Sequence, residues 1–226
     1  MNDRHGAAAS GTKIADRLHI IATVEEEPDT LTRWVNASLT FSHVGQVPLG
    51  GWLVYQIQAA GRLDGRLRVL DRTYGSARER IRGQIDLMLT DYFDLSRLWV
   101  LDAYELIRTL DECVRRGVWA PSAEVAEQVK GVKQRLAQVR VPLAKFESSG
   151  KSSGEGTPGD LVATPALGQG IGAAWSVGGA SPRFVSRREL SDAVLALLEA
   201  AAPKDRSNPG THREEAPPTR GTRGYG

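Results

Sequence analysis

The feature that most restricts this chain is a pair of apolar seams near its middle. From Ile81 the apolar positions fall at Ile81, Ile85, Met88, Tyr92, Leu95 and Trp99, in alternating steps of four and three, and continue through Ala103, Leu106, Leu110 and Cys113 or Val114. Such steps return to one side of a helix of 3.6 residues per turn, and no strand reproduces them. The run stops at Gly117, a residue suited to the position just past a helix, with Arg115 and Arg116 in the last turn, where cations oppose the helix dipole. Pro121-Ser122 restarts the chain, and Val125, Val129, Val132, Leu136 and Val139 repeat the spacing until Val141-Pro142 ends it. Two seams joined by so short a connection predict an antiparallel helical hairpin over 77–140. Thr90-Asp91 and Asp94 could cap a second helix, so the first arm is either one rod or two. Residues 76–112 carry five basic and eight acidic groups, and residues 113–147 carry seven and three, so the two arms attract.

Around this hairpin the sequence predicts an α-rich α+β protein. Residues 1–13 are small and polar, a disordered lead. The main domain spans 14–147. Its first part holds Leu18 to Val24, a short strand or helix end, and Leu31 to Phe41, where Leu39 and Phe41 alternate with Thr40 and Ser42 as in a strand. Trp52 to Ala60 suits a helix, because Gln58, Ala59 and Ala60 favour one. Residues 148–160, rich in Gly, Ser, Pro and Lys, form a flexible linker. A small β–helix unit over 161–202 packs on or beside the main domain. It has short strands at Leu161 to Thr164 and Ala173 to Val177, joined by a glycine-rich turn, and then a helix. Ser186 and Glu189 make a capping box before that helix, Val185 and Leu190 stand at the positions of a hydrophobic staple, and Leu190, Val194, Leu197 and Leu198 share one face. Residues 203–226 are a disordered tail.

Totals exclude several classes of function. The formal net charge is +2, and the tail alone contributes five basic against three acidic residues, so the folded body is near neutral. A phosphate-tracking surface on that body is disfavoured. Cys113 is the only cysteine, which forbids an intrachain disulfide and a cysteine-based zinc site and suits a reduced, cytoplasmic setting. No apolar run approaches the roughly 20 residues of a membrane span, and no apolar core of a signal peptide follows Met1.

Motifs add little chemistry. Ser149-Gly150-Lys151-Ser152 matches the end of a phosphate-binding loop, but Lys145 stands where its first glycine belongs. Gly168-Gln-Gly170-Ile-Gly172-Ala173 has dinucleotide-fold spacing without a helix behind it, and reads as a hairpin turn. His5, His19, His43 and His212 have no metal-ligand spacing. Cys113 reads as a small core hydrophobe. HEPN-type ribonucleases carry an Arg and a His in an RxxxxH-like motif on helices; the comparable pair here, Arg206 and His212, lies in the proline-broken tail, so no resemblance holds. No catalytic residue, metal site or cofactor is expected.

Three functions remain. The leading one is a non-enzymatic protein-interaction or regulatory module that meets a protein partner, or a second copy of itself, through its amphipathic helices; Trp34, Trp52, Trp119 and Trp175 lie outside the two seams and add to a partner surface. A polar face at Arg97, Asp102, Tyr104, Glu105 and Arg108 is the candidate ligand site. The second is a nucleic-acid-associated accessory protein using Arg187 and Arg188 at the C-terminal helix with Arg220 and Arg223 in the tail. The third is an enzyme whose site is assembled from dispersed Asp, Glu, Tyr and Arg on the long helices. No membrane association is expected.

Overall fold

Among the described residues, apolar seams at helical spacing build four helices ahead of the strands. The computed structural model describes residues 27–44, 49–75, 87–145, 164–168, 172–177 and 183–202. Helix α1 (Pro28–Leu39) begins with Pro28 in its first turn and runs into a 3-10 turn over Thr40–His43. Ser38 is buried in it, and so are Thr30, Trp34, Ala37 and, beyond the helix, Phe41. Those steps of four, three and four are again a helical seam, so the strand expected from Leu39 and Phe41 is not formed. Phe41 is buried and Leu39 points outward at 44% exposure. The expected segment Leu18 to Val24 lies outside the described residues, as do the lead, the linker over 148–160 and the tail.

Helix α2 (Leu49–Gly75) extends the helix expected at Trp52 to Ala60 by four turns. Helix α3 (Leu87–Arg115) is one unbroken rod, so Asp91 and Asp94 are interior residues and not caps. Residues 77–86 of the predicted first arm lie outside the described residues. The rod ends as its sequence requires: Gly117 adopts φ +68°, Val118 N–H donates to the Cys113 carbonyl at 2.9 Å and Gly117 N–H to the Val114 carbonyl at 3.1 Å. That pair of bonds closes a Schellman cap. Ser122 then accepts from Val125 N–H at 3.3 Å and opens helix α4 (Ala123–Lys145). The stop expected at Pro142 does not occur. The proline removes one backbone donor only a turn before the end, and Pro142 is itself buried while Leu143 packs on the core.

Among the described residues, Tyr92, Trp99, Ala103, Leu106, Leu110 and Cys113 of the first seam and Val125, Val129, Val132, Leu136 and Val139 of the second are buried, and the two helices pack on each other. The charge asymmetry of the arms is used across the hairpin. Lys133 pairs with the buried Asp111, and Arg140 reaches Glu105 at 3.4 Å.

Three antiparallel strands follow, β1 (Thr164–Gly168), β2 (Gly172–Val177) and β3 (Arg183–Ser186), in the order β1-β2-β3. Gly168 pairs with Gly172, so the glycine pattern is a hairpin, and β1 starts at the end of the stretch where a strand was expected. Gly172, Ala173, Ala174 and Trp175 are all buried, which explains the small residues in the central strand. Ser186 then accepts from Arg188 N–H at 3.2 Å and Glu189 N–H at 3.5 Å and starts helix α5 (Arg187–Ala200). Val185 and Leu190 are buried beside that cap, as a staple requires, and Val194, Leu197 and Leu198 follow on the inner face. Helix α5 lies against α1, α3 and α4, and β2 against α2. One hydrophobic core therefore includes the helices and the small β–helix unit.

Candidate functional site

Two places in this fold concentrate chemistry, and both belong to α2. Its seam runs Leu53, Ile57, Ala60, Asp64, Leu67, Asp71, Tyr74, in steps of four and three, so two aspartates occupy positions that the pattern assigns to the core. Both are buried, together with Arg68 one turn after Asp64. Helix α5 supplies the partner. Arg187, with no exposed surface, donates from Nη1 to Asp64 Oδ1 at 2.5 Å and from Nη2 to Asp71 Oδ2 at 2.5 Å. Arg68 Nε meets Asp64 Oδ2 at 2.8 Å, and its Nη2 reaches Ser191 Oγ at 3.1 Å and Asp192 at 2.5 Å. Trp34 Nε1 donates to Asp64 at 3.2 Å.

On the other side, the Tyr92 hydroxyl donates to Asp71 Oδ1 and accepts from Ala173 N–H at 2.6 Å. The Arg187 guanidinium carbon lies 5.8 Å from the Trp99 ring centroid, and Trp99 Nε1 donates to the Ala60 carbonyl at 3.0 Å. The network thus ties α1, α2, α3, β2 and α5 together.

Burial alone pushes the Asp64 carboxyl up, but the Arg187 and Arg68 guanidiniums, with hydrogen bonds from Arg68 and Ser191, outweigh it and hold the group below the usual carboxylate range. Burial likewise works against the Arg68 charge, and Asp64 and Asp192 overcome it, leaving the guanidinium firmly protonated. Tyr92 is driven above its ordinary range by burial and by the Asp71 carboxylate beside it. Asp64, Arg68, Asp71 and Arg187 each have an opposite charge within hydrogen-bonding distance and almost no solvent surface, while Asp192 at the edge is exposed. Such a cluster fixes the position of one element against another; it offers no face to a substrate.

The structure corrects one site assignment directly. Arg187 is not on the surface: its guanidinium is spent on Asp64 and Asp71 in the core, so it cannot meet a phosphate. Arg188 is part-exposed beside it, and Arg220 and Arg223 lie outside the described residues. The polar face on α3 is divided. Arg108 Nε pairs with Glu105 at 2.6 Å, Arg140 of α4 stacks 4.9 Å from the Tyr104 ring centroid and reaches the same Glu105, and Arg97 stands exposed. Asp102 is half-buried, and that burial raises its carboxyl. Arg140 thus ties Tyr104 and Glu105 of α3 to α4. Among the described residues, no three His, Cys, Asp or Glu side chains are grouped to hold a metal ion, and no helix is long and apolar enough to cross a membrane. Cys113 is buried, and that burial raises its thiol.

The second place is the opposite side of α2. Of the tryptophans outside the seams, Trp34 and Trp175 are buried and Trp119 packs edge-on against Phe41 with centroids 5.4 Å apart. Trp52 alone of that group is exposed, at 38%, and Tyr55 beside it reaches 69%. Leu39 stands at the same end of the α1–α2 hairpin, where Gln58 Nε2 donates to Ser38 Oγ at 3.0 Å. Below Tyr55 a groove of about 310 Å³ runs along α2, lined by Tyr55, Gln58, Ala59, Arg62, Leu63 and Arg66.

Sequence reasoning missed the first place and marked only Trp52 at the second. The aspartates at seam positions of α2 were the available signal for the first. The second needed the helix phase, which glycines at Gly50, Gly51, Gly61 and Gly65 obscure. Comparison of the chain with protein-family models, with curated proteins and with solved structures finds no match.

Proposed function

We propose that this protein is a non-enzymatic protein-interaction module whose docking face is the outer side of α2, and that it takes an amphipathic partner segment bearing carboxylates. The observation that carries the reading is the exposure of Tyr55, which lines the α2 groove, together with that of Trp52 on the same helix and Leu39 at the end of α1. Large aromatics at the centre of a contact supply most of its affinity. Charge supports the choice of partner. Both acidic residues of α2, Asp64 and Asp71, turn into the core, so the outer side carries Arg62 and Arg66 with no carboxylate of its own helix. A nucleic-acid track needs a longer row of cations, and the floor here is Ala59 and Leu63.

The test uses the full chain and a synthetic amphipathic peptide of about four helical turns, with leucine on one face and glutamate elsewhere. Its control has lysine for every glutamate. The glutamate peptide is expected to bind, and Tyr55→Ala or Arg62→Glu to weaken it at least about tenfold, or 1.4 kcal/mol. Equal binding of both peptides, or indifference to Tyr55→Ala, overturns the reading. Binding of an oligo-dT strand in place of the peptide assigns the face to nucleic acid instead.

A further inference from the structure

We infer that the buried network binds one internal water molecule, which accepts from Arg187 Nε and bridges to the Ser96 hydroxyl on α3. Two buried polar groups carry the inference, and neither belongs to the docking face.

The first is the third donor of Arg187. Its Nη1 and Nη2 are fixed on Asp64 and Asp71, two turns apart on α2, so the planar guanidinium is held from both ends. Its Nε is buried with them and finds no partner among the described residues. A buried donor left dry is costly, and such groups in folded proteins are nearly always satisfied.

The second is Ser96. A serine or threonine inside a helix can return its hydroxyl to the carbonyl one turn back. Thr32, Thr73 and Thr109 do so here, at 2.9, 3.2 and 2.9 Å. Ser96 Oγ makes no such bond, although the residue has no exposed surface.

Position brings the two groups together. Ser96 follows Tyr92 by four residues and precedes Trp99 by three, so all three share one side of α3. The Tyr92 hydroxyl bonds to Asp71, the carboxylate that also holds Arg187 Nη2. The Trp99 ring centroid lies 5.8 Å from the Arg187 guanidinium carbon. Ser96 therefore stands between two residues that both reach the head of Arg187. Strand β2 meets Tyr92 through the Ala173 N–H, and so brings a methyl group there and not a bulky side chain.

Chemistry selects the occupant. Nε offers only a hydrogen, so the occupant must accept. The buried charges of the network already balance, Arg68 and Arg187 against Asp64 and Asp71, and an anion would add a third negative charge without a counterion. A neutral acceptor that also meets a hydroxyl, in a place closed to solvent, is a water molecule. Two polar partners meet the minimum for an internal water.

The experiment keeps the full chain. A high-resolution crystal structure is expected to show one density peak within about 3.2 Å of both Arg187 Nε and Ser96 Oγ. In solution, the loss of urea midpoint caused by Ser96→Ala is expected to be about 0.5 M larger in the unmodified chain than in Arg187→Met, because only the first loses a bridged pair. Helix propensity acts alike in both backgrounds and cancels in the difference. Separate peaks on the two atoms, no peak between them, or an equal effect of Ser96→Ala in both backgrounds overturns the inference. If Arg187→Met does not fold, the density alone decides.

Discussion

Replacing Arg187 by methionine keeps an unbranched side chain of similar reach and removes the two donors that hold Asp64 and Asp71. The loss is unequal. Asp64 retains the Arg68 Nε at 2.8 Å and the Trp34 Nε1 at 3.2 Å, while Asp71 retains, among the described residues, the Tyr92 hydroxyl. Breaking a buried ion pair by removing one partner costs about 3–5 kcal/mol, because the other charge stays buried. Against a total stability of about 5–15 kcal/mol this is a large share. With a urea slope of about 2 kcal/mol per molar, the midpoint falls by roughly 1.5–2.5 M. Tryptophan emission is the natural readout, since Trp34 bonds to Asp64 and the Trp99 ring faces Arg187. Adding Asp71→Asn to Arg187→Met removes the stranded charge and is expected to recover about 1–3 kcal/mol. Adding Asp64→Asn recovers less, since it strips Arg68 of its nearest carboxylate. A change under about 0.5 kcal/mol for Arg187→Met, or greater recovery through Asp64 than through Asp71, refutes the reasoning.

Gly172→Ala is expected to cost about 2–4 kcal/mol: the residue sits at φ +69°, and a Cβ there would overlap the Asp71 carboxylate and come within 2.8 Å of the Tyr92 hydroxyl. A urea midpoint equal to that of the unmodified chain would show that the β-hairpin has room to withdraw. Asp102→Asn is expected to raise Tm at pH 7, because burial lifts the Asp102 carboxyl in the folded chain and its ionised form opposes folding above that range. The folded chain then holds the proton more tightly than the unfolded one, so the advantage of asparagine shrinks as pH falls through the raised value and vanishes below about 3.9. Thermal melts at both ends of that range measure it, and a difference that grows on acidification contradicts it.

Legibility followed how much of the pattern a single element carries. The α3–α4 hairpin was readable because Trp99, Leu106, Val129 and Leu136 repeat a helical step over many turns, and because Gly117 and Ser122 mark its turn chemically. The cap at Ser186 was readable for the same reason: one hydroxyl and the donors that follow it are local in sequence. Helix α1 was misread where two residues, Leu39 and Phe41, stood in for a period, although Thr30, Trp34, Ala37 and Phe41 form the longer seam. Arg187 was misplaced because a charged residue at the start of a helix resembles surface chemistry. Only the fold shows that Asp64 and Asp71, more than a hundred residues earlier, wait for it in the core.

The two faces of α2 have a common cause. An ordinary surface helix places acids and bases three or four residues apart on its wet side, where each pair contributes a few tenths of a kcal/mol. In α2 the acids are withdrawn to bind Arg187, which begins α5 directly after β3 and so fixes the β–helix unit against the bundle. Apolar contact between α5 and its neighbours would stabilise the packing but tolerate sliding; two bonds from one guanidinium to two carboxylates two turns apart do not. The consequence on the far side is that Arg62 and Arg66 stand one turn apart as like charges, an arrangement a free helix disfavours. The partner segment proposed above brings its carboxylates to this side. The interior that locks the fold therefore also sets the charge of the outer side of α2.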